Sequence, residues 1–108
     1  YVTGFVNGFP VVFLVDTGAH TTSLPLVVAR NAGIRAGKVL VSSTAAGKEP
    51  GALSDGNTVR VGSFVVSGVP VLVFQHLEMP IVGMDVLNRF QMAFSDGLMI
   101  LRRPSNLE

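Results

Sequence analysis

Short apolar runs, separated by glycine, proline and polar pairs, recur along the whole chain. Residues 1–6 and 9–15 form the first two runs, and Asn7-Gly8 joins them. Asn-Gly is the strongest short signal for a β-hairpin, because both residues accept the positive φ of a type I′ turn. Valine is abundant in these runs, and β-branched residues favour strands. The pattern therefore predicts a mainly β protein whose chain opens with a hairpin.

The second run ends in five consecutive apolar residues, 11–15, and is expected to be a central strand buried on both faces. It leads directly into the polar break Asp16-Thr17-Gly18-Ala19. Further on, Pro25 and a following apolar stretch predict a short helix or helical turn over residues 23–32, ended by Gly33.

Residues 39–61 predict a long, exposed hairpin arm. Its strands are expected at 39–44 and 52–61, and small or polar residues at 45–51 are typical of a tip. Asp55-Gly56 predicts a turn or bulge within the returning strand. Residues 63–74 then predict two strands, or one bent strand.

Residues 84–90 have helical spacing, and four apolar side chains can share one face there: Met84, Val86, Leu87 and Phe90. The polar residues between them are then expected to point away from that face: Asp85, Asn88 and Arg89. A final hairpin is predicted from strands at 91–94 and 98–101, with its turn at 95–97.

Composition narrows the class of protein. The chain has 108 residues, of which 48% are apolar and 14% charged, so residues 1–106 are predicted to form one folded domain. The closing pair Leu107-Glu108 is set aside as a possible cloning scar. Composition alone leaves a small monomer and an oligomer equally open.

Charge and residue usage exclude several kinds of partner. A net charge of +1 without a basic patch argues against nucleic acid. Cysteine is absent and there are only two histidines, so we predict neither a metal site nor a cofactor. No apolar run reaches the roughly 18 residues of a membrane span, so contact with a membrane is expected only through a segment outside this sequence.

The strongest chemical signal is Asp16-Thr17-Gly18. The triplet alone is weak, because an Asp that ends a strand is often only a turn residue. Two features strengthen it. An apolar strand leads into it, and a second apolar pair followed by glycine, Ile81-Val82-Gly83, lies downstream at the start of the predicted helix.

This combination resembles the retroviral-type, or retropepsin-like, aspartic proteases, and the run at 13–19 is similar to their single-domain bacterial members. The resemblance covers nearly the whole chain. It implies an all-β fold: the closed β fold of the acid proteases, with one short C-terminal helix and one lobe per chain. It also implies an aspartic endopeptidase anchored in a bacterial inner membrane with its catalytic domain in the periplasm.

The resemblance also implies a role for each matching residue. Asp16 is the expected catalytic carboxylate, Thr17 a hydrogen-bonding partner across a dimer axis, and Gly18 the turn that shapes the loop. Substrate-binding positions are expected on the cleft floor and at the tip of the arm, which corresponds to the flap: Ala19, Ile81, Val82, Gly83, Ala46, Gly47 and Lys48. An extended peptide is expected to lie between floor and flap.

The chemistry calls for two carboxylates. Two aspartates in contact share one proton because both cannot ionise, and the pair then supplies a base for water and an acid for the leaving amine. This chain has one Asp-Thr-Gly, so a homodimer is expected to bring two copies of Asp16 together. The alternative is a catalytically silent module of the same fold that binds peptides or dimerises.

One departure from the retroviral pattern concerns an ion pair. Retroviral members carry an Arg and an Asp at the positions of Met84 and His20 here. We hypothesise that His20 and Asp85 form a substitute contact. A partly exposed His20 whose ring is satisfied by water is the alternative.

Overall fold

The fold is a mainly β arrangement with two short helices. The computed structural model describes residues 1–34, 38–44 and 47–102. In chain order, the elements of this part are β1 Val2–Val6, β2 Phe9–Val15, β3 Ser23–Pro25, α1 Leu26–Asn31, β4 Lys38–Thr44, β5 Gly47–Val61, β6 Phe64–Phe74, β7 Ile81–Val82, α2 Met84–Leu87, β8 Gln91–Ser95 and β9 Leu98–Arg102.

Both predicted hairpins at the ends of the sequence are present. Asn7 and Gly8 have φ angles of 50° and 83°, and they join β1 to the antiparallel strand β2. Asp96 and Gly97 have φ angles of 51° and 75° and join β8 to β9. The second turn is one residue tighter than predicted, because Ser95 already pairs with Leu98.

Six strands close into a ring. The hydrogen-bonded order is β1-β2-β7-β3-β6-β5, and β5 pairs back onto β1 through Gly4↔Val61 to Val6↔Val59. Strand β4 lies outside the ring, on the free edge of β5, and β8 and β9 form a separate two-stranded sheet. The predicted all-β, closed, single-lobed fold is thus confirmed.

The core lies inside the ring and beneath α2. Its fully buried side chains come from several strands and from α2 and include Val6, Phe13, Leu24, Val59, Val71, Val82, Val86 and Leu87. The prediction that β2 is buried on both faces was wrong. Val12 is 50% exposed while Val11 and Phe13 are buried, so this strand alternates, as expected where one face of the sheet meets solvent.

The predicted irregularity at Asp55-Gly56 is a β-bulge. The register between β5 and β6 shifts on both sides of Asn57, and Gly56 has a φ of 75°. The buried side chain of Asn57 donates from Nδ2 to the carbonyl of Ser54 at 2.9 Å, and its Oδ1 accepts from Nδ2 of Asn7 at 2.9 Å. Strand β6 is continuous, in agreement with the bent-strand alternative, and Gly68 has a φ of 69°.

The two helices are shorter than the sequence predicted. Residues 23–25 pair with β6 as β3, so α1 begins at Leu26, after Pro25, and the chain turns at Gly33 with a φ of 71°. Helix α1 is therefore additional to the single C-terminal helix that the resemblance implied. Helix α2 makes a single turn, and Arg89 and Phe90 continue with i→i−3 hydrogen bonds.

The hairpin arm consists of β4 and the first part of β5. Beyond the pair Leu40↔Gly51, where β6 has ended at Phe74, the two strands continue alone through Thr44↔Gly47. Gly47 and Lys48 therefore belong to a strand, not to a seven-residue tip as predicted, and Ala46 lies outside the described residues. No helix in the described part of the chain has the length and apolar character needed to cross a membrane.

Candidate active site

Asp16 follows directly from a pair of parallel strands. Leu14 and Val15 of β2 lie beside Ile81 and Val82 of β7, although the two segments are far apart in sequence. The amide of Asp16 continues this pattern and donates to the carbonyl of Val82 at 3.2 Å. The segment before Asp16 and the segment before Gly83 are thus neighbours in the sheet. Strand β7 also fixes the point after Val15 at which the chain leaves the sheet.

The loop after β2 holds the Asp16 carboxylate with its own backbone. The amide of Gly18 donates to Oδ1 of Asp16 at 2.9 Å, and the amide of Ala19 donates to the Asp16 carbonyl at 3.1 Å. A Cβ at Gly18 would lie 3.2 Å from that same Oδ1, so a larger residue would crowd the carboxylate. Asp16 is half-buried, whereas Thr17 and Gly18 are exposed on the surface of the chain.

Gly83 packs directly beneath this loop. Val82 is fully buried, Ile81 is half-buried, and a Cβ at Gly83 would come within 2.8 Å of the carbonyl carbon of Thr21 and 2.9 Å of the carbonyl oxygen of Ala19. These neighbours are backbone atoms and cannot rotate away. Glycine is therefore required for the loop to lie this close to its floor.

The first turn of α2 is bonded to the same loop. The amides of Met84 and Asp85 donate to the carbonyls of Ala19 and His20 at 2.8 and 3.1 Å. In return, the Asp85 carboxylate accepts from the amide of Thr22 at 3.0 Å and from its hydroxyl at 2.8 Å. The Thr22 hydroxyl oxygen accepts from the amide of Gly83 at 3.1 Å, which completes the network.

A cleft of about 450 Å³ opens beside the loop. Its lining joins the chain start, the end of β2 and the last hairpin: Tyr1, Val2, Val15, Thr17, Phe94, Gly97 and Leu98. Three of these side chains are large and strongly exposed, with Tyr1 at 83%, Phe94 at 70% and Leu98 at 67%. The hairpin β8–β9 thus presents an apolar surface next to the Asp16 loop.

The loop, its floor and α2 match those of a known protein family. The family model described as gag-polyprotein putative aspartyl protease matches residues 2–89. The chain belongs to this family. Its match includes the Asp16 loop, the hairpin arm, Gly83 and α2, so the retropepsin-like resemblance predicted from the sequence is confirmed.

Solved structures agree with the family. A crystal structure of a retropepsin-like aspartic protease from Rickettsia conorii is 25% identical, with a TM-score of 0.75 over 94% of this chain and 80% of the other. The EIAV protease in complex with the inhibitor HBY-793 is 20% identical and has a TM-score of 0.67 over 80% and 82% of the two chains, which shows a shared fold. The comparison with curated proteins gave no significant match.

Within this retropepsin-like framework, the predicted residues fall into two groups. Those of the loop and its floor lie together: Asp16, Thr17, Gly18, Ala19, Ile81, Val82 and Gly83. Gly47 and Lys48 lie on the arm, opposite Thr44 and Ser43. The described residues contain no group of three or more His, Asp and Glu side chains that could hold a metal ion.

The hypothesised contact between the His20 side chain and Asp85 was wrong. The Asp85 carboxylate is turned inward to Thr22, and His20 is exposed and meets Asp85 only through its backbone carbonyl. The sequence predicted only that Asp85 points away from the apolar face of the helix; the structure adds that its half-buried carboxylate is bonded to Thr22. Two sequence features belong to this network: an Asp in the first turn after Gly83 and a Thr six positions after Asp16. Neither of them predicts that the two side chains contact each other.

Proposed function

We propose that this chain is one subunit of an aspartic endopeptidase, in which two copies of Asp16 form the catalytic dyad of a homodimer. Membership of the aspartyl protease family and the retropepsin-like fold support peptide hydrolysis. The single observation that carries the finer proposal is the Asp16 loop. Its carboxylate is oriented by the amide of Gly18 and is half-buried beside exposed Thr17.

The dyad chemistry follows from bringing two such carboxylates together. One proton is shared between them, since two negative charges in contact are unfavourable. The ionised carboxylate removes a proton from a water molecule, which attacks the carbonyl carbon of the scissile peptide bond. The protonated carboxylic acid then donates its proton to the amide nitrogen as the C–N bond breaks. Proton balance is kept, and the pair returns to its starting state.

The surface around the loop favours a second copy as the partner. Thr17 and Gly18 are exposed in a single chain, and Thr17 lines a cleft whose lining also includes Phe94 and Leu98. Large apolar side chains with this exposure are typical of an interface. In the proposed dimer, the β8–β9 hairpin of each subunit is covered by its partner, and the two Thr17 side chains meet near the twofold axis.

Substrate is proposed to bind as an extended strand between the loop floor and the arm. Peptides in this conformation bind through main-chain hydrogen bonds, and pockets for alternate side chains give specificity. Ala19, Ile81, Val82 and Gly83 would form the floor, and Ala46, Gly47 and Lys48 would cover the substrate from the flap. Because these four floor residues are small or apolar, we expect the substrate to carry apolar side chains next to the cleaved bond.

We also propose a location, which rests on the resemblance to single-domain bacterial members. The catalytic domain would lie in the periplasm, attached to the inner membrane through a segment outside these 108 residues. Fractionation of cells that express the tagged full-length protein tests this. Recovery of the protein in the cytosolic fraction would exclude the proposed location.

The deciding experiment is digestion of a diverse peptide library, read by mass spectrometry at acidic and neutral pH. Wild type and Asp16→Asn are compared at high protein concentration, with Asp55→Asn as a control at an exposed carboxylate. We expect cleavage by wild type and the control, and none by Asp16→Asn. If a demonstrably dimeric wild type cleaves nothing, the chain is a silent peptide-binding or dimerisation module instead.

A further inference from the structure

We propose that Asp85 is a positioning residue, which holds the catalytic loop in its working geometry through Thr22 within one subunit. The inference rests on the proposed function, because it concerns the loop that carries Asp16. It adds a residue outside the Asp-Thr-Gly triplet and outside the floor. It also assigns a task to the only ionisable side chain in α2.

The network between Asp85 and Thr22 is partly buried, with a fully buried Thr22 bonded to a half-buried Asp85. Thr22 is fully buried, and both of its donors, the amide and the hydroxyl, point at the Asp85 carboxylate. The same hydroxyl accepts from the amide of Gly83, so it acts both as a donor and as an acceptor. Hydrogen bonds to an ionised acceptor are roughly twice as strong as neutral ones, and burial strengthens them further.

The network closes one end of the loop while β7 closes the other. At the start of the loop, the amide of Asp16 is bonded to Val82. At its end, Thr22 is bonded to Asp85. Both ends are therefore fixed to one short segment, residues 82–85, and Asp16 is itself the residue at the first attachment.

Among the bonds that residues 82–85 make to the loop, those that the Asp85 carboxylate accepts from Thr22 use a side chain of α2. The bonds from Asp16 to Val82 and from Met84 and Asp85 to the loop carbonyls use backbone groups. Backbone bonds of this kind persist in most variants, whereas the carboxylate can be removed by substitution. Asp85 is also placed by its own helix, because the amide of Val86 donates to its Oδ1 at 2.9 Å. The carboxylate thus transmits the position of α2 to the loop.

Substitution of Thr22 separates positioning from charge. Thr22→Val keeps the shape of the side chain and removes the hydroxyl, so Asp85 and Gly83 each lose a partner, while every ionisable group of the chain is retained. Thr22→Ser keeps the hydroxyl and should rescue the effect. Thr58→Val is the matched control, since Thr58 is exposed and its described hydrogen bonds use only its backbone.

Steady-state kinetics are measured with the dimer saturated and below the unfolding temperature of every variant. For Thr22→Val we expect kcat to fall about 10- to 100-fold, as small displacements of catalytic groups do, with KM changed less than about threefold. The shape of the pH–rate profile should be retained. Thr22→Ser and Thr58→Val should stay within about threefold of wild type in kcat. If kcat per folded dimer is unchanged in Thr22→Val, Asp85 has only a structural role and the proposal fails.

Amide hydrogen exchange tests the same network without any activity. In Thr22→Val the amides of Met84 and Asp85, which donate to the loop, should exchange at least tenfold faster, while the β1–β2 hairpin should not change. Asp85→Asn, with Asp55→Asn as control, provides a second variant if Thr22→Val does not fold. Unchanged exchange at these amides would overturn the inference. If exchange is accelerated in Thr22→Val but wild type cleaves no peptide, the proposed function is refuted, while the role of the Asp85–Thr22 bonds in holding the loop still stands.

Discussion

Substitution of Gly83 by alanine tests the close approach between the catalytic loop and its floor. The added Cβ would lie 2.8 Å from the Thr21 carbonyl carbon and 2.9 Å from the Ala19 carbonyl oxygen. Real Cβ atoms do not occupy such positions, and the neighbours are backbone atoms, so the loop or α2 must move. Overpacking of this kind costs about 1–3 kcal/mol. For a domain of this size, we expect Tm to fall by about 5–15 °C.

The position of the clash predicts a second effect, on activity. Residues 19–21 lie between Asp16 and Thr22 in the catalytic loop, so a displaced backbone there should lower kcat by more than the loss of folded protein explains. Thermal unfolding and kinetics on the same samples separate the two effects. Gly68→Ala is the comparison, because Gly68 has a φ of 69° and open space around its Cβ position. It should lose roughly 1 kcal/mol from backbone strain and keep wild-type kcat.

The close approach between Gly83 and the loop is refuted if Gly83→Ala unfolds within about 2 °C of wild type and retains its kcat. That result would mean that the loop and α2 separate at little cost, and the description of Gly83 as a required floor residue would be wrong. A loss of stability without a loss of kcat per folded dimer would refute only the second effect.

Two further predictions concern assembly and the core. Peptidase activity should vary with the square of protein concentration below the dimer dissociation constant, because each site needs two copies of Asp16. A rate that stays linear in protein concentration below the dissociation constant measured by sedimentation would contradict the shared dyad. Asn57→Ala should lower the free energy of unfolding by about 1–3 kcal/mol in urea titrations, because the Ser54 carbonyl and the Asn7 amide lose their partner. Asn88→Ala, at an exposed position, should cost less than about 0.5 kcal/mol, and equal losses in the two variants would refute this account.

The features that the sequence predicted well are those with local causes. Asn7-Gly8 accepts positive φ at both positions, so the opening hairpin could be predicted from two residues. Alternation and apolar runs located most strands, and Gly56 marked the bulge in β5. The apolar strand before Asp16 and the second motif ending at Gly83 were also recognisable, because both have strict local requirements.

The features that could not be predicted depend on distant partners. Thr22 and Asp85 are 63 positions apart, and helical spacing alone predicts only that Asp85 points away from the apolar face, not which residue it contacts. The exposure of Val12 depends on whether anything covers that face of the sheet, which a run of apolar residues does not reveal. The beginning of β5 at Gly47 depends in the same way on pairing with β4, since small and polar residues suit either a tip or a strand.

The architecture assigns two tasks to different parts of one chain. Contacts within the subunit, from residues 82–85, hold the Asp16 loop. The apolar surface proposed to bring two loops together lies on the β8–β9 hairpin, which belongs to a separate sheet. Because no strand pairing joins the two sheets in the described part of the chain, a change in the hairpin should affect assembly without changing the loop.

Leu98→Lys tests this separation. Leu98 is 67% exposed in the single chain, so a lysine costs little there, but it would place a charge in the covered interface of the proposed dimer. We expect sedimentation to show a monomer and activity to fall at least 100-fold, while Tm at a concentration where wild type is also monomeric stays within about 2 °C. Amide exchange at Met84 and Asp85 should equal that of monomeric wild type. Val65→Lys, at a similarly exposed position on β6, should remain dimeric and active. If Leu98→Lys dimerises as well as wild type, another surface joins the subunits.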